Sequence, residues 1–244
     1  MMLWEIVSPK RQLKISKSYR WVNNIALVVF NTLLMRLILP VATVGVALFA
    51  SQYQIGLFSN VALPLWAKII LCIFIMDLVI YWQHRLFHKI PILWRLHRVH
   101  HVDQDIDVTT GSRFHPIEIL LSLLIKFIII LILGVPAEAV ILFEIILNGT
   151  AMFNHSNVEL PKKIDKYLRW VLVTPDMHRV HHSSIKQETN SNYGFNIPHW
   201  DRIFGSYIDQ PKLGHHDVKI GVQGYEDVSS TQNLFKLLIH PFSK

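Results

Sequence analysis

Apolar residues in this chain fall in long blocks, without the narrow helical stripe or strand alternation of a soluble domain. Residues 1–23 are polar and basic, with Lys10, Arg11, Lys14, Lys17 and Arg20. A first apolar block runs from Ile25 to Ala50 and contains Arg36 and Pro40. A helix of that length, rising about 1.5 Å per residue, crosses a hydrocarbon core of about 30 Å. Pro40 removes a backbone donor and predicts a kink. A polar connection at 51–60 leads to a second span, Val61 to Trp82, with Asp77 near its end. Two shorter blocks, Ile117–Leu133 and Val135–Phe153, meet at Gly134-Val135-Pro136. Each is just long enough to cross, and a re-entrant hairpin is the alternative, because Lys126 and Glu144 otherwise lie at costly depths. No later block is as long. The pattern predicts an all-α integral membrane protein with about four spans.

Composition agrees with that reading. Of 244 residues 51% are apolar and 17% charged, and the length suits one domain. The formal charge of +7 comes from bases flanking the apolar blocks, which points to anionic lipid and away from nucleic acid. The connection at 51–60 and the turn at 134–136 have no Lys or Arg. Nearly all bases lie before residue 24, in 84–113 and after 154. The positive-inside rule then places both termini and every histidine cluster on the cytoplasmic face. The single cysteine, Cys72, excludes an intramolecular disulfide and a cysteine-based metal site.

Fourteen histidines supply the candidate chemistry. His84 and His88 form HxxxH in HRLFH; His97, His100 and His101 form HxxHH in HRVHH; His178, His181 and His182 repeat HRVHH; and His155 stands in FNHSN. Positions i, i+3 and i+4 share one helical face, so each cluster gathers neutral nitrogen donors at one point, as iron, zinc or copper requires. Three clusters with His155 exceed the needs of one ion and suit two. Neither HRLFH nor HRVHH has the glutamate of a zinc protease HExxH. The clusters sit at the edges of the apolar blocks, whereas a transporter places its ligands at mid-membrane. Two metals above an apolar bundle suit oxidation of a lipid C–H bond. No Rossmann glycine fingerprint, flavin motif or CxxC is present, so electrons must come from a separate redox protein.

These residues resemble the fatty acid hydroxylase and sterol desaturase superfamily, whose members carry HxxxH, HxxHH and a second HxxHH around four membrane helices. RFHPIE at 113–118, FNHSN at 153–157, TPDMHRVHHS at 174–183 and NYGFNIPHWDRIFGSY at 192–207 look like segments of that family, in its order. The resemblance covers roughly residues 70 to 207 and is similar in compactness to bacterial sterol desaturase family members. It divides the chain into a basic N-terminal segment (1–24), a membrane domain (25–207) and a C-terminal tail (208–244). It implies a cytoplasmic histidine cap, a bacterial inner-membrane location and a dimetal centre held by His84, His88, His97, His100, His101, His155, His178, His181 and His182. It further implies two iron ions, with zinc an alternative in purified protein, dioxygen as co-substrate, a lipid substrate, and an electron donor of the ferredoxin or cytochrome b5-like type with its reductase. Some hydroxylases carry a further histidine four positions before the one matching His155; here that position is Ala151.

Four residues are candidates for supporting the ligands: His115, held rigid by Pro116, for which a ligand role and a place at the helix start are alternatives; Asp176, two before His178, which also suits a helix N-cap; Asn192; and Asp77, on the helical face of His84. Two other function classes fit part of the pattern, a metal-sensing or metal-storing membrane protein without oxygenase activity and a zinc-dependent lipid hydrolase.

Overall fold

The computed structural model describes residues 1–243. Among them no β-strand forms, and two isolated bridges, Pro9–Val158 and Ser183–Ile220, are the only extended pairing. A short helix α1 (Met2–Val7) precedes α2 (Lys17–Ile38) and α3 (Thr43–Gln52). The first apolar block is therefore two helices. The backbone N–H of Leu39 closes α2 on Met35, and Pro40 has no N–H with which to continue. The break is complete where the sequence predicted a kink, and α2 begins at Lys17, well before the apolar block.

Helix α4 (Leu65–Lys89) is the longest and carries the second span straight into the first histidine pair. It stops because Pro91 disfavours helical geometry at the residue before it; Ile90 is extended, with φ −91° and ψ 117°. Pro91 then opens α5 (Pro91–His101) as its first residue. The chain folds back sharply, and HRVHH comes to rest on HRLFH. Helix α6 (Pro116–Leu133) is capped by His115, whose Nδ1 accepts from the Ile117 N–H, and ends at left-handed Gly134. Helix α7 (Ala137–Asn154) returns to the histidine side. Four helical stretches, Lys17–Gln52, Leu65–Lys89, Pro116–Leu133 and Ala137–Asn154, are long and apolar enough to cross a membrane.

The bundle core joins Ala47 of α3, Cys72, Met76 and Ile80 of α4, Ile130 of α6, and Ala139, Val140 and Phe143 of α7. Outside it, large apolar side chains face outward: Leu37 is 81% exposed, Ile132 60% and Ile145 63%. Such a surface suits lipid, since helices satisfy their own backbone groups there.

Above the bundle lies a cap of short helices: α8 (Lys162–Leu168), α9 (Pro175–His181), α10 (Lys186–Thr189), α11 (His199–Ile203), α12 (Gly214–Asp217), α13 (Val228–Gln232) and α14 (Leu234–Ile239). Residues 208–243 fold onto the rest, with Leu237 of α14 packed among Leu27, Val99 and Val102. A buried charge network ties this cap to α2. Arg20 pairs with Asp103 at 2.7 Å and with Asp107, while Arg113 donates to Gln232 and the Val99 carbonyl. All four charged groups have no exposed surface. Removing one partner of such a set leaves an uncompensated charge in low dielectric.

The loops at the opposite end interlock through two glycines. A Cβ on Gly56, at φ +97°, would lie 2.1 Å from the Gly134 backbone nitrogen. Both strain and clash therefore oppose any side chain there. Gly56→Ala is expected to cost about 1–3 kcal/mol and to lower the melting temperature in detergent. Gly149→Ala, at a helical glycine with nothing within 4 Å of the added carbon, is expected to leave it unchanged or raise it. Equal melting of the two variants would contradict the interlock.

Candidate metal centre

Nine imidazoles converge where α4, α5, the end of α7 and α9 meet. His84, His88, His97, His101 and His181 form one group, and His100, His155, His178 and His182 a second. Within each group the nearest ring nitrogens all lie within 4.8 Å of one another. Each ring is at least nine-tenths buried. The groups abut, since His101 of the first stacks on His182 of the second with centroids 4.6 Å apart.

The hydrogen bonds decide which nitrogens are free. His84 donates through Nδ1 to the Tyr193 carbonyl at 2.7 Å, and His97 donates through Nδ1 to Glu118 Oε1 at 2.6 Å. His155 donates likewise to the Ala151 carbonyl and His181 to the Ser191 carbonyl, both at 2.7 Å. In neutral rings so bonded, every Nε2 carries a lone pair. Yet the Nε2 atoms of His84 and His97 are 3.1 Å apart, those of His100 and His155 3.1 Å, and those of His155 and His178 2.9 Å. With Glu118 as a carboxylate, the His84–His97 contact sets two lone pairs against each other with no hydrogen between them. About 3 Å is the separation of two nitrogens that share one ion at about 2 Å each. His88 and His182 have no partner at either ring nitrogen, and His181 Nε2 is also unpaired. Buried polar atoms are normally satisfied, so this donor set fits two bound cations.

Burial also keeps the rings neutral, as ligation requires. It pushes His97 down to about 3 and His155 down to about 4. His100, His101, His178, His181 and His182 are held well below the usual imidazole range, by burial first and by neighbouring imidazoles second.

Below His84 and His97 opens a cavity of about 250 Å³, walled by Phe87, Phe114, Leu123 and Phe195 and reaching down α6 to Lys126. The histidines stand at its upper end. The arrangement can hold metal beside a cavity whose wall is mostly apolar.

The four supporting candidates take different places. Asp77 accepts from Asn196 Nδ2 at 2.7 Å and Trp200 Nε1 at 2.8 Å. Asn192, at φ +47°, donates to the Met177 and Ile208 carbonyls. Both brace the 190–206 segment that supplies the Ser191 and Tyr193 carbonyls, without touching an imidazole themselves. Asp176 turns to Arg179 and to Lys10 at 3.4 Å instead of to His178, and the cap of α9 is Thr174. His115 lies outside both groups: it caps α6 and donates through Nε2 to the Leu238 carbonyl at 3.1 Å. The start of α6 claimed His115, because an N-cap needs an acceptor at that position. Sequence reasoning missed Glu118, which orients His97. Its signal was a lone carboxylate at the start of an apolar helix, three residues after His115.

The ring environment sets a pH dependence. In the unfolded chain these imidazoles titrate near 6.5, while folded His97 and His155 titrate near 3 and 4. Below about 6.5 the unfolded state therefore binds protons that the folded state refuses, and stability falls with pH until the folded values are reached. Metal-free protein is expected to melt at a lower temperature at pH 5 than at pH 7. An unchanged or higher melting point at pH 5 would contradict the burial.

Comparison with known proteins agrees with this geometry. The fatty acid hydroxylase family model matches residues 69–206. An ornithine lipid hydroxylase from Rhizobium tropici is 29% identical over 205 residues, covering 84% of this chain and 59% of the relative. An alkylglycerol monooxygenase from Xenopus tropicalis is 31% identical over 55% of this chain and 29% of its own. A human lathosterol oxidase is 27% identical over 64% and 48%. The matches thus span between about a third and three-fifths of these relatives. No solved structure is significantly similar to the chain. The matched region contains all nine converging histidines, and on that ground the chain belongs to the fatty acid hydroxylase family, whose relatives here are named hydroxylase, monooxygenase and oxidase.

Proposed function

We propose that this chain is a membrane-embedded lipid oxygenase that holds one iron ion in each histidine group. It uses dioxygen and electrons from a separate redox protein, of ferredoxin or cytochrome b5 type, to hydroxylate or desaturate a lipid C–H bond. The observation that carries the reading is the convergence of nine buried imidazoles, of which His84 and His97 stand at the head of a mostly apolar cavity. Two neutral-donor sites beside a space suited to hydrocarbon fit oxidation of an unactivated bond. The relative matching 84% of the chain is named a lipid hydroxylase, which supports the lipid substrate.

In this reading His84, His88, His97, His101 and His181 hold one ion, and His100, His155, His178 and His182 the other. When bound, the pair would supply the oxygen activation that C–H cleavage needs, with electrons relayed from the redox partner. The protein contributes position and dryness. Glu118 and the carbonyls of Ala151, Ser191 and Tyr193 fix the tautomers, and Phe114 stacks on His100 at 4.6 Å. Hydroxylation consumes one dioxygen, two electrons and two protons to give an alcohol and water; desaturation with the same inputs gives an alkene and two waters. The basic flanks of the spans support a cap and termini on the cytoplasmic face, where such electron donors reside.

Purified protein reconstituted with iron, a reductase system and a lipid extract is expected to consume oxygen. Its products are expected to gain one oxygen atom or lose two hydrogens. Products differing from substrate only by added water would support a hydrolase instead, and metal binding with no lipid turnover would support a sensor or store. His181→Ala is expected to reduce turnover at least about a hundredfold; full activity in that variant would remove His181 from the site.

A further inference from the structure

His88 stands apart from the other converging imidazoles because it reaches toward the surface. It is 9% exposed, the most of the nine, and it lines a cavity of about 360 Å³ that shares no residue with the one beneath His84 and His97. His88 and Lys89 end α4; the rest of the wall comes from α5 and from cap residues 184–190 and 221–223. Half-buried Trp94 lies between this opening and the ligands. Its ring centroid is 4.8 Å from that of His88, 5.3 Å from His101 and 6.3 Å from His97, three members of the group of five. Tyr193 also meets three rings of that group, but it is buried. Phe114 and Phe195 touch ligand rings from the other cavity, on the bundle side. On the cap side, Trp94 joins the opening to the ligand rings by direct contact.

The charges around this opening have one sign. Lys89 and Lys186 line it and are exposed, Arg95 beside Trp94 is exposed as well, and no Asp or Glu is among its lining residues. Glu188 and Glu226, its neighbours in the chain, accept from the backbone N–H groups of Lys212 and Gly224 instead. The three bases belong to α4, α5 and α10, so they spread over a face and do not close round one small anion. The other basic cavity of the cap, about 770 Å³, mixes Lys162, Lys166 and Arg169 with Asp165, Asp176 and Asp209, and none of the nine histidines lines it. Electron transfer weakens steeply with distance, so a protein carrier, which keeps its prosthetic group within itself, must dock where the path to the ligands is short. The Trp94 opening offers that path behind an unopposed positive rim.

We infer that an acidic one-electron carrier protein docks over the Trp94 opening and delivers its electrons through Trp94 and His88 to the group of five. The rim of Lys89, Arg95 and Lys186 attracts the carrier at long range, which raises the encounter rate and makes it sensitive to salt. Complexes of this kind are small and short-lived, and charge on their rims governs association more than the final affinity. The carrier gives up one electron per encounter, is itself oxidised, and reduces one bound ferric ion to ferrous. Two encounters deliver the two electrons that one turnover consumes. The inference rests on the oxygenase reading for the need of electrons, while the docking claim rests on the surface itself.

The test measures carrier binding to full-length, metal-free protein in phosphatidylcholine nanodiscs, by biolayer interferometry. The probes are a plant-type [2Fe–2S] ferredoxin and the soluble domain of cytochrome b5, both acidic, with basic cytochrome c as the comparator. At low salt the acidic carriers are expected to bind at least about tenfold tighter than cytochrome c, and to lose most of that binding at about 1 M salt, where screening acts within about 3 Å. Reversing both rim lysines, Lys89→Glu with Lys186→Glu, is expected to weaken the acidic carriers about tenfold. The same charge change at the other basic cavity, Lys162→Glu with Lys166→Glu, is expected to leave binding within about twofold. All four lysines are exposed, and equal melting temperatures check that both variants fold. Equal weakening by the two variants, binding indifferent to salt, or tighter binding of cytochrome c would overturn the inference. In iron-loaded protein of matched iron content, Trp94→Leu is expected to slow reduction of ferric iron by reduced ferredoxin severalfold without changing ferredoxin affinity; an unchanged rate would overturn the path through Trp94. Docking and iron reduction without lipid oxidation would uphold this surface and defeat the oxygenase reading. Lipid oxidation driven by a chemical reductant, with carrier binding indifferent to the rim charges, would do the reverse.

Discussion

The structure turns on a conflict between lone pairs. His84 and His97 each commit their Nδ1 hydrogen outward, to Tyr193 and to Glu118, and so face each other through bare Nε2 atoms at 3.1 Å. His155 donates through Nδ1 to the Ala151 carbonyl, and the Nε2 atoms of both His100 and His178 crowd its single Nε2 lone pair. In a buried, low-dielectric setting such contacts are unfavourable unless a cation lies between them. Protonation is not an escape, because burial depresses the rings outside the spans. The outward hydrogen bonds thus leave a donor set that fits bound metal.

Much of the remaining fold serves to impose them. The proline after α4 turns α5 back so that two histidine motifs share one point, and Pro175 with the Thr174 cap starts α9 where its HxxHH completes both groups. Asp201 accepts from the N–H groups of Tyr193 and Gly194 at 2.7 and 2.8 Å, Asn192 fixes the adjoining turn, and Asp77 holds the far end of the same segment. These residues are remote from the metal sites yet aim the carbonyls that set the tautomers. The buried Arg20–Asp103–Asp107–Arg113 set anchors the cap to α2 in the same manner, at the cost of desolvating four charges.

The four apolar blocks and the nine histidines were legible because each rests on a local rule: block length sets the span, and i, i+3, i+4 spacing sets the face. The Pro40 break was legible in place but not in degree. Its extent depends on α3 packing against α6 and α7, which is tertiary. His115 and Asp176 stayed open between supporting the ligands and a place at a helix start; only the fold gives His115 the cap of α6 and turns Asp176 to Arg179 and Lys10. Glu118 passed unnoticed among isoleucines and leucines, although a lone carboxylate in such a helix demands a buried partner. The Arg20 network was invisible, as its members lie more than 80 residues apart. Lys126 and Glu144, awkward at mid-membrane in the sequence, are reconciled by pairing with each other along a cavity wall.

The central claim is that each histidine group binds its own ion, and metal counting tests it most directly. Protein prepared anaerobically with iron is expected to contain two metal ions per chain. His88→Ala, in the group of five, and His182→Ala, in the group of four, are each expected to reduce the count to about one, leaving the other group loaded. One ion or fewer in the wild type, or loss of all metal from either single variant, would contradict two separate sites.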